Sequence, residues 1–459
     1  MLSLLRRLLP DRHPLRLLWH RSKAFAAALR YGFPARRLTV IGITGTDGKT
    51  TTVGMVAHIL RATGRRVGML STASIRVGDA VRGNPSQKTS PSPFVVQKWL
   101  RACVDAGCTH AVLEYSSHGL VQFRTHWTWP AVAAITNTAM EHLDYHGTME
   151  QYRRDKGILF HMLGGGGTKV LNADDATYAM YTRIPSDNTI TFAANQMADD
   201  GWQMMKSDIS HLPSRISQLW ASDVMSTPKE TSADIHCSLL ATRCPLRLPI
   251  PGAFNASNAL CALGCAEALG IPLQETVAAL ASFTGVPGRM ERIDEGQPFS
   301  VFIDFAVTPQ AFEKTLTTVR QIVGPGKRVL VLTGSCGDRM KEKRPLIGAI
   351  CSEKADVIVV TDDESYAEDP RSVMEDVWAG VDQSRTQAHK IFDRREAIAR
   401  ILALAGPGDA VILCGLGSYP IRMTPSGPIP WNEQEITRTL LREQLRSPPS
   451  DSRIPNSAR

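Results

Sequence analysis

The sequence predicts an α/β fold in two parts: a central phosphate-loop (P-loop) domain on a mainly parallel sheet, and a C-terminal Rossmann-like α/β domain. Three observations predict it. From Leu38 onward, short β-branched runs alternate with stretches of helical spacing, the pattern of a parallel sheet covered by helices. One strand–loop–helix junction carries the glycine-rich run Gly45-Thr46-Asp47-Gly48-Lys49-Thr50-Thr51. A Gly/Pro hinge, "GVPGRMERI", then opens a second βα series. The expected divisions are a basic N-terminal extension over 1–37, the central domain over 38–288, the C-terminal domain over 289–445 and a disordered tail over 446–459.

In chain order, the leader comes first. Residues 1–40 hold eight arginines and one lysine against the single acid Asp11, which accounts for the whole net charge of +8. The remainder balances at zero, whereas a nucleic-acid enzyme carries its basic surface on the folded body; no nucleic-acid partner is expected. Pro10 and Pro14 interrupt a long helix, and Trp19 to Tyr31 has amphipathic spacing. A helical cap on the first domain, a membrane-surface segment and a transit peptide are the three readings. "LTVIGIT", "RVGMLST", "HAVLEYS" and "AVAAITN" are strands, and "TTVGMVAHILRATG" is a helix closed by Gly64. Residues 200–250 lose the rhythm, and "ISQLWASDV" and "ADIHCSLL" suggest a smaller β insertion. Two helices follow, "NASNALCALGCAEALG" and "PLQETVAALASF". Beyond the hinge, "FSVFIDFA", "RVLVLTG", "ADVIVVTD" and "DAVILCG" are four further strands. No apolar run approaches the roughly 18 residues that span a bilayer. The nine cysteines form no CxxC pair, which suits buried thiols in a reducing cytoplasm.

The loop has the right context for an anion. Glycines let backbone N–H groups converge on phosphate oxygens at a helix N-terminus, Lys49 neutralises phosphate charge and Thr50 offers a hydroxyl to Mg²⁺. Its spacing departs from the usual form, which puts four residues between the first glycine and Gly-Lys-Ser/Thr. That position is Ile43; the glycines stand at 42 and 45.

The run Gly-Thr-Asp-Gly-Lys-Thr-Thr instead resembles the loop of the Mur ligase family, ATP-dependent amide-forming ligases of peptidoglycan and polyglutamate synthesis. "LEYSSHGLVQFR" (Leu113–Arg124), "TNTAMEHLDYHGTMEQYRRDKGILF" (Thr136–Phe160), "GAFNASNALCAL", "GVPGRMERID", "GDRMKEKRP" and "EDP" are similar to further family segments, in order, over about Leu38 to Glu443. They are most like the members that add the third residue of the peptidoglycan stem. The resemblance implies a monomeric cytoplasmic ligase using ATP and Mg²⁺ to join an amino acid to a UDP-muramoyl-dipeptide through an acyl phosphate. For ATP it implies Gly45, Thr46, Asp47, Gly48, Lys49, Thr50, Thr51, Asn137, Asn255, Asn258, Arg289 and Asp304. For metal it implies Thr50, Glu114, His142 and Lys156, the last as a carbamate formed from CO₂; Lys49, Lys156 and His142 are the catalytic set. Thr89, Ser90, Ser116, Gln122 and Arg124 fall on the acceptor side, and Arg339, Asp363, Glu364, Tyr366 and Gly415 on the amine side.

Four departures qualify the resemblance. The family's own N-terminal domain grips the uridine end of the substrate, and only about forty residues precede the loop strand here; either the leader serves, or the carrier differs. The family's Asp-Asn-Pro-Arg aligns with Asp363-Glu364-Ser365-Tyr366, and its Gly-Lys-Gly-His-Glu with "GLGSY". Val307 stands where a histidine is usual. Asp363, Glu364 and Glu368 would suit a cationic amine such as lysine. Two alternatives stay open: a ligase of the same fold acting on another acyl carrier, and a nucleotide-binding scaffold with a decayed amine pocket.

Overall fold

A computed structural model describes residues 10–86, 88–194, 215–338 and 340–446. The chain divides into two compact units, Met1–Val286 and Pro287–Arg459. Arg339, the first nine residues and the tail from 447 lie outside the described residues.

The first unit is built on an eleven-stranded sheet in the order β11-β10-β9-β8-β7-β6-β1-β5-β2-β3-β4. The strands are β1 (Thr39–Thr44), β2 (Val67–Leu70), β3 (Ser74–Val77), β4 (Ala80–Gly83), β5 (His110–Glu114), β6 (Val132–Ile135), β7 (Thr168–Asn172), β8 (Asn188–Ala193), β9 (Arg215–Ser226), β10 (Thr231–Cys237) and β11 (Leu240–Leu248). Every pairing from β9 across to β2 is parallel. β3–β4 and β10–β11 are antiparallel additions at the two edges. The stretch expected as an insertion therefore widens the main sheet. Its β10 alternates buried and half-buried residues, as an antiparallel edge with one covered face does, whereas β5, β6 and β7 are buried almost throughout.

Side-chain alternation splits the core across the sheet. Ile41, Ile43 and Val112 face a cluster with the helices Lys49–Ala62, Phe254–Glu267 and Leu273–Leu280. Val40, Ala111, Leu113 and Tyr115 face the opposite cluster with Trp99, Leu100, Leu159 and Phe160, from the helices Pro93–Asp105 and Met149–His161. The leader forms the helix Pro14–Arg30, with Pro14 at its first turn where a missing N–H costs nothing. Its Ala24, Ala27 and Ala28 are buried, and the small side chains let it lie close on Pro93–Asp105. Phe25 meets the Trp127 ring edge-on at 5.3 Å.

The second unit has a six-stranded sheet, β12-β13-β17-β14-β15-β16, parallel except for β12. Its strands are β12 (Glu291–Ile293), β13 (Ser300–Asp304), β14 (Val329–Thr333), β15 (Val357–Val360), β16 (Gln387–Lys390) and β17 (Ala410–Cys414). One buried arginine ties this sheet's carboxyl edge to the last helix, Glu433–Arg446. Arg394 donates to Glu433 at 2.7 Å, to the Cys414 carbonyl at 2.9 Å and to the Asp362 carbonyl at 3.2 Å. Both charged partners are fully buried, so removing one strands the other in an apolar interior. Arg394→Met should cost this unit about 3–5 kcal/mol, read as a lowered midpoint in urea unfolding; an unchanged midpoint would show that the pair contributes nothing.

Candidate functional site

β1 ends at Thr44, and the loop passes to the helix Lys49–Ala62 through two glycines that no other residue could replace. Gly45 has φ +146° and Gly48 φ +78°. A Cβ at Gly45 would stand 1.9 Å from Thr136 Oγ1, and one at Gly48 2.1 Å from Asn258 Oδ1. Neighbouring strand ends and helices hold the loop from outside. Thr136 Oγ1 donates to the Asp47 carbonyl at 2.6 Å, Asp47 N donates to Asn137 Oδ1 at 3.0 Å, and Thr46 N donates to the Asn137 carbonyl at 2.8 Å. Asn258 donates to Asn255 Oδ1 at 3.0 Å, and Asn255 to the Pro251 carbonyl at 2.7 Å. Lys49 Nζ donates to the Thr46 carbonyl at 2.7 Å. Thr51 is buried in the helix's first turn.

Glu114, the last residue of β5, is buried and fully engaged. Its carboxylate accepts from Thr50 Oγ1 at 3.1 and 3.2 Å, from Thr72 N at 2.7 Å and from Thr72 Oγ1 at 3.0 Å. Lys156, on the helix Met149–His161, is 1% exposed. Its Nζ donates to the Gly45 carbonyl at 2.5 Å and lies 4.5 Å from the Tyr152 ring centroid. Burial, reinforced by Lys49, drives its pKa well below the ordinary lysine value. His142, with a left-handed backbone at φ +55°, is half-exposed and stands 3.4 Å from Glu141 Oε1. Its ring meets that of His118 at 4.7 Å. Burial, then the neighbouring His142 and His146, lowers His118 to about 3, so this ring is neutral at physiological pH.

The expected acceptor residues adjoin this group. Thr89 Oγ1 is 2.8 Å from Thr72 Oγ1, and Ser90 Oγ accepts from Ser116 N at 3.0 Å. Ser116 Oγ caps the short helix Ser117–Val121 through Gly119 N. Arg124 donates to Gln122 Oε1 and to the Ser90 carbonyl at 3.0 Å. All of these, with the loop, Asn137, Asn255, Asn258, Glu114 and Lys156, belong to the first unit.

The remaining expected residues stand in the second unit. The Arg289 guanidinium lies 4.4 Å from the Phe305 ring centroid, and Asp304 accepts from Met290 N at 2.8 Å. Gly415 N donates to the Asp304 carbonyl at 3.2 Å. Tyr366 OH donates to Glu364 Oε2 at 3.3 Å. The expected acidic lining is partly neutralised from within: Asp363 is buried 3.4 Å from Arg394, and Glu368 pairs with Arg344 at 2.9 Å. Sequence reasoning passed over Thr72, Tyr152, His146, Asp155 and Arg12. His146 and Asp155 lie inside words quoted for other members; Arg12 carried no signal.

Comparison with known proteins identifies this arrangement. Residues 43–266 match the family model described as Mur ligase middle domain, and residues 288–417 that described as Mur ligase, glutamate ligase domain. The chain belongs to the Mur ligase family. It is 35% identical to UDP-N-acetylmuramoyl-L-alanyl-D-glutamate–2,6-diaminopimelate ligase of Geobacillus kaustophilus (strain HTA426), over 92% of this chain and 83% of the relative. It is 36% identical to UDP-N-acetylmuramyl-tripeptide synthetase of Roseiflexus sp. (strain RS-1), over 91% and 81%. A solved UDP-N-acetylmuramoyl-L-alanyl-D-glutamate–2,6-diaminopimelate ligase superposes with TM-score 0.60 at 26% identity, covering 89% of this chain and 79% of that one. The Mycobacterium tuberculosis folylpolyglutamate synthase complexed with ADP shares the fold, with TM-score 0.62 at 19% identity over 94% and 95%. Mur ligases are ATP-dependent amide ligases that use Mg²⁺, and the first unit's residues fit both. Gly45 and Gly48 give the left-handed backbone that turns the loop into the helix N-terminus, where phosphates are held, and the Thr50 hydroxyl and Glu114 carboxylate are hard oxygen donors of the kind Mg²⁺ takes. Among the described residues no group of three His, Cys, Asp or Glu side chains could hold a metal by itself.

The leader reaches this Mur ligase centre. Arg12 donates to both oxygens of Asp155 at 2.6 and 2.8 Å, and His146 Nδ1 lies 2.5 Å from the same carboxylate. Burial alone would raise Asp155; hydrogen bonds from Arg12, His146 and Gln151 overcome it and hold the carboxyl at about 2. That stability is present above the ordinary carboxylate pKa and is lost as pH falls through about 2. Arg12→Ala should cost about 1.5–3 kcal/mol at pH 7 and flatten the decline of stability between pH 4 and 2. Urea unfolding across that range checks both.

Proposed function

We propose that this Mur ligase joins a diamino acid to UDP-N-acetylmuramoyl-L-alanyl-D-glutamate in peptidoglycan precursor synthesis, as a cytoplasmic monomer. The relatives' names supply the acceptor and, in the Geobacillus enzyme, diaminopimelate as the amine. The observation that most supports the reading is the desolvated amine of Lys156, held against the Gly45 carbonyl of the phosphate loop.

A carboxylate does not acylate an amine at neutral pH. ATP transfers its γ-phosphoryl group to the acceptor carboxylate, ADP leaves, and the amine displaces phosphate from the acyl phosphate as the amide forms. Bound Mg²⁺ supplies the charge that lets two anions approach. The loop amides of residues 45–51 and Lys49 bind the phosphates at the helix N-terminus. Asn137, Asn255 and Asn258 serve the nucleotide side, and in the second unit the family resemblance assigns Arg289 and Asp304 to the nucleotide as well. Thr50 and Glu114 would hold the first Mg²⁺. Lys156 is suited to become the carbamate because only a neutral amine attacks CO₂. Its nitrogen would form the new N–C bond and its proton would leave to solvent, so that an anionic group takes the place of a neutral amine, and His142 would be its partner in the second metal set. Thr89, Ser90, Ser116, Gln122 and Arg124 hold the acceptor. Glu364, Tyr366 and Gly415 line the amine side, where Asp363 acts through its pairing with Arg394.

Phosphate release with Mg-ATP, bicarbonate and the UDP-muramoyl-dipeptide, across diaminopimelate, lysine, ornithine and neutral amino acids, tests the reading. Release should require both the acceptor and one diamino acid. Lys156→Ala should lower turnover about 10²–10³-fold, with partial recovery on adding short carboxylic acids. Turnover that ignores the acceptor, or survives the substitution intact, overturns it.

We also propose weak contact with an anionic membrane surface through the leader helix. Leu15, Leu18 and Leu29 are about 60% exposed and fall on one helical face, with exposed Arg21 and Arg30 in the same helix. The chain should co-sediment with phosphatidylglycerol vesicles and not with phosphatidylcholine vesicles, and Leu15→Glu/Leu18→Glu should abolish this; equal binding to both vesicle types would refute it.

A further inference from the structure

The leader helix and the acceptor residues enclose a cavity of about 320 Å³ within the first unit, at the lower end of the roughly 300–1,000 Å³ usual for small-molecule sites. Arg16, Trp19, His20 and Lys23 of the helix Pro14–Arg30 form one wall. Lys88, Gln122 and Arg124 form the other, and the lining contains no carboxylate.

The charge of this lining is organised. Arg16 pairs with the exposed Asp11, while among the described residues Lys23, Lys88 and Arg124 have no ion pair. Arg124 is the most constrained. Its Nε and one Nη donate to Gln122 Oε1, and its other Nη donates to the Ser90 carbonyl. Gln122 is itself fixed by donating to Tyr145 OH at 3.2 Å. These bonds use three of the five guanidinium N–H groups and leave two in a fixed fork. Every bonded oxygen is neutral, and burial pulls the guanidinium's pKa down; an anion in the cavity would reverse that penalty. Lys23 and Lys88 act as point charges, the other common means of holding phosphate.

Position adds a second constraint. The Ser90 carbonyl that accepts from Arg124 belongs to the residue whose hydroxyl accepts from Ser116 N. Thr89, one residue earlier, meets Thr72, which donates to Glu114. The cationic cavity and the buried carboxylate of the ligase centre are thus opposite ends of one hydrogen-bonded chain. That series of contacts places the cavity on the acceptor side of the ligase centre.

We infer that this cavity, roofed by the leader helix, is a subsite for the diphosphate group of the acceptor's carrier, with Trp19 offering its half-exposed ring to the attached base. The inference rests on the acceptor assignment above. The diphosphate is shared by two carriers, a soluble nucleotide and a lipid, and binding separates them.

The test uses the full chain with saturating Mg-ADP, so that the phosphate loop is occupied. Titration calorimetry with UDP, UMP and uridine should give one site, with uridine at least tenfold weaker than UDP. Lys23→Ala and Lys88→Ala should each weaken UDP by about tenfold, the scale of one charge-assisted contact. Lys88 is exposed, so its replacement leaves the fold intact and keeps the test informative if Lys23→Ala fails to fold. A prenyl diphosphate in neutral vesicles forms the second arm: binding there that is lost in the same variants, without UDP binding, supports the diphosphate subsite and makes the carrier a lipid. UDP affinity indifferent to both substitutions, uridine as tight as UDP, or no binding in either arm overturns the inference. UDP binding that responds as expected while the amine panel releases no phosphate removes the proposed function alone. Turnover by the panel with an acceptor KM unmoved in both variants removes the subsite alone.

Discussion

The arrangement depends on a carboxylate kept out of water at the carboxyl end of β5. A buried, unpaired charge is prohibitive, so Glu114 has to be met on every side, and the elements that meet it are those the site needs in place. Thr50 brings the first turn of the loop helix and Thr72 brings the chain leaving β2. Parallel pairing of β5 with both β1 and β2 puts their carboxyl ends on one edge, which is where open α/β sheets gather ligands. Replacing this carboxylate would release three segments together, which makes it structural before it is chemical.

The opposite charge is handled differently. Among the described residues Lys156 has no carboxylate in hydrogen-bond contact; its Nζ donates to the Gly45 carbonyl, and burial pulls its pKa well below the ordinary lysine value. The anion next to it in sequence, Asp155, takes Arg12 and His146. One helix thereby carries both a buried amine and a fixed ion pair. The leader, through Arg12, bonds the residue next to that amine, so a segment with no metal- or phosphate-binding signature still bears on the centre.

Much of this was legible in the sequence. β1, β2, β5, β6, β13, β14, β15 and β17 are short, nearly continuous apolar runs because both faces of their sheets are covered, and each was visible as such. β3 and β4 carry exposed and half-buried residues and gave no comparable signal. Neither did the role of β9, β10 and β11 as a continuation of the main sheet, because strand order is set by pairing between distant segments. The loop residues and Glu114 were legible because their chemistry is packed into adjacent positions. Arg12 with Asp155, 143 residues apart, and Arg394 with Asp363, 31 apart, were not. The second pair changes the meaning of a residue that sequence alone showed as an available acid.

The unusual spacing of the loop has a physical account in the same contacts. With Gly45 only three positions before Gly48, the loop is shorter than the usual form and is held from outside. Thr136 and Asn137, just beyond β6, bond both faces of Asp47 and the amide of Thr46 from outside. Asn258, from the helix Phe254–Glu267, occupies the space a side chain at Gly48 would need. The shape of the cradle is therefore distributed over a strand end and a second helix. A short loop demands those partners, and a chain that kept the loop while losing Thr136, Asn137 or Asn258 would leave its backbone groups unsatisfied.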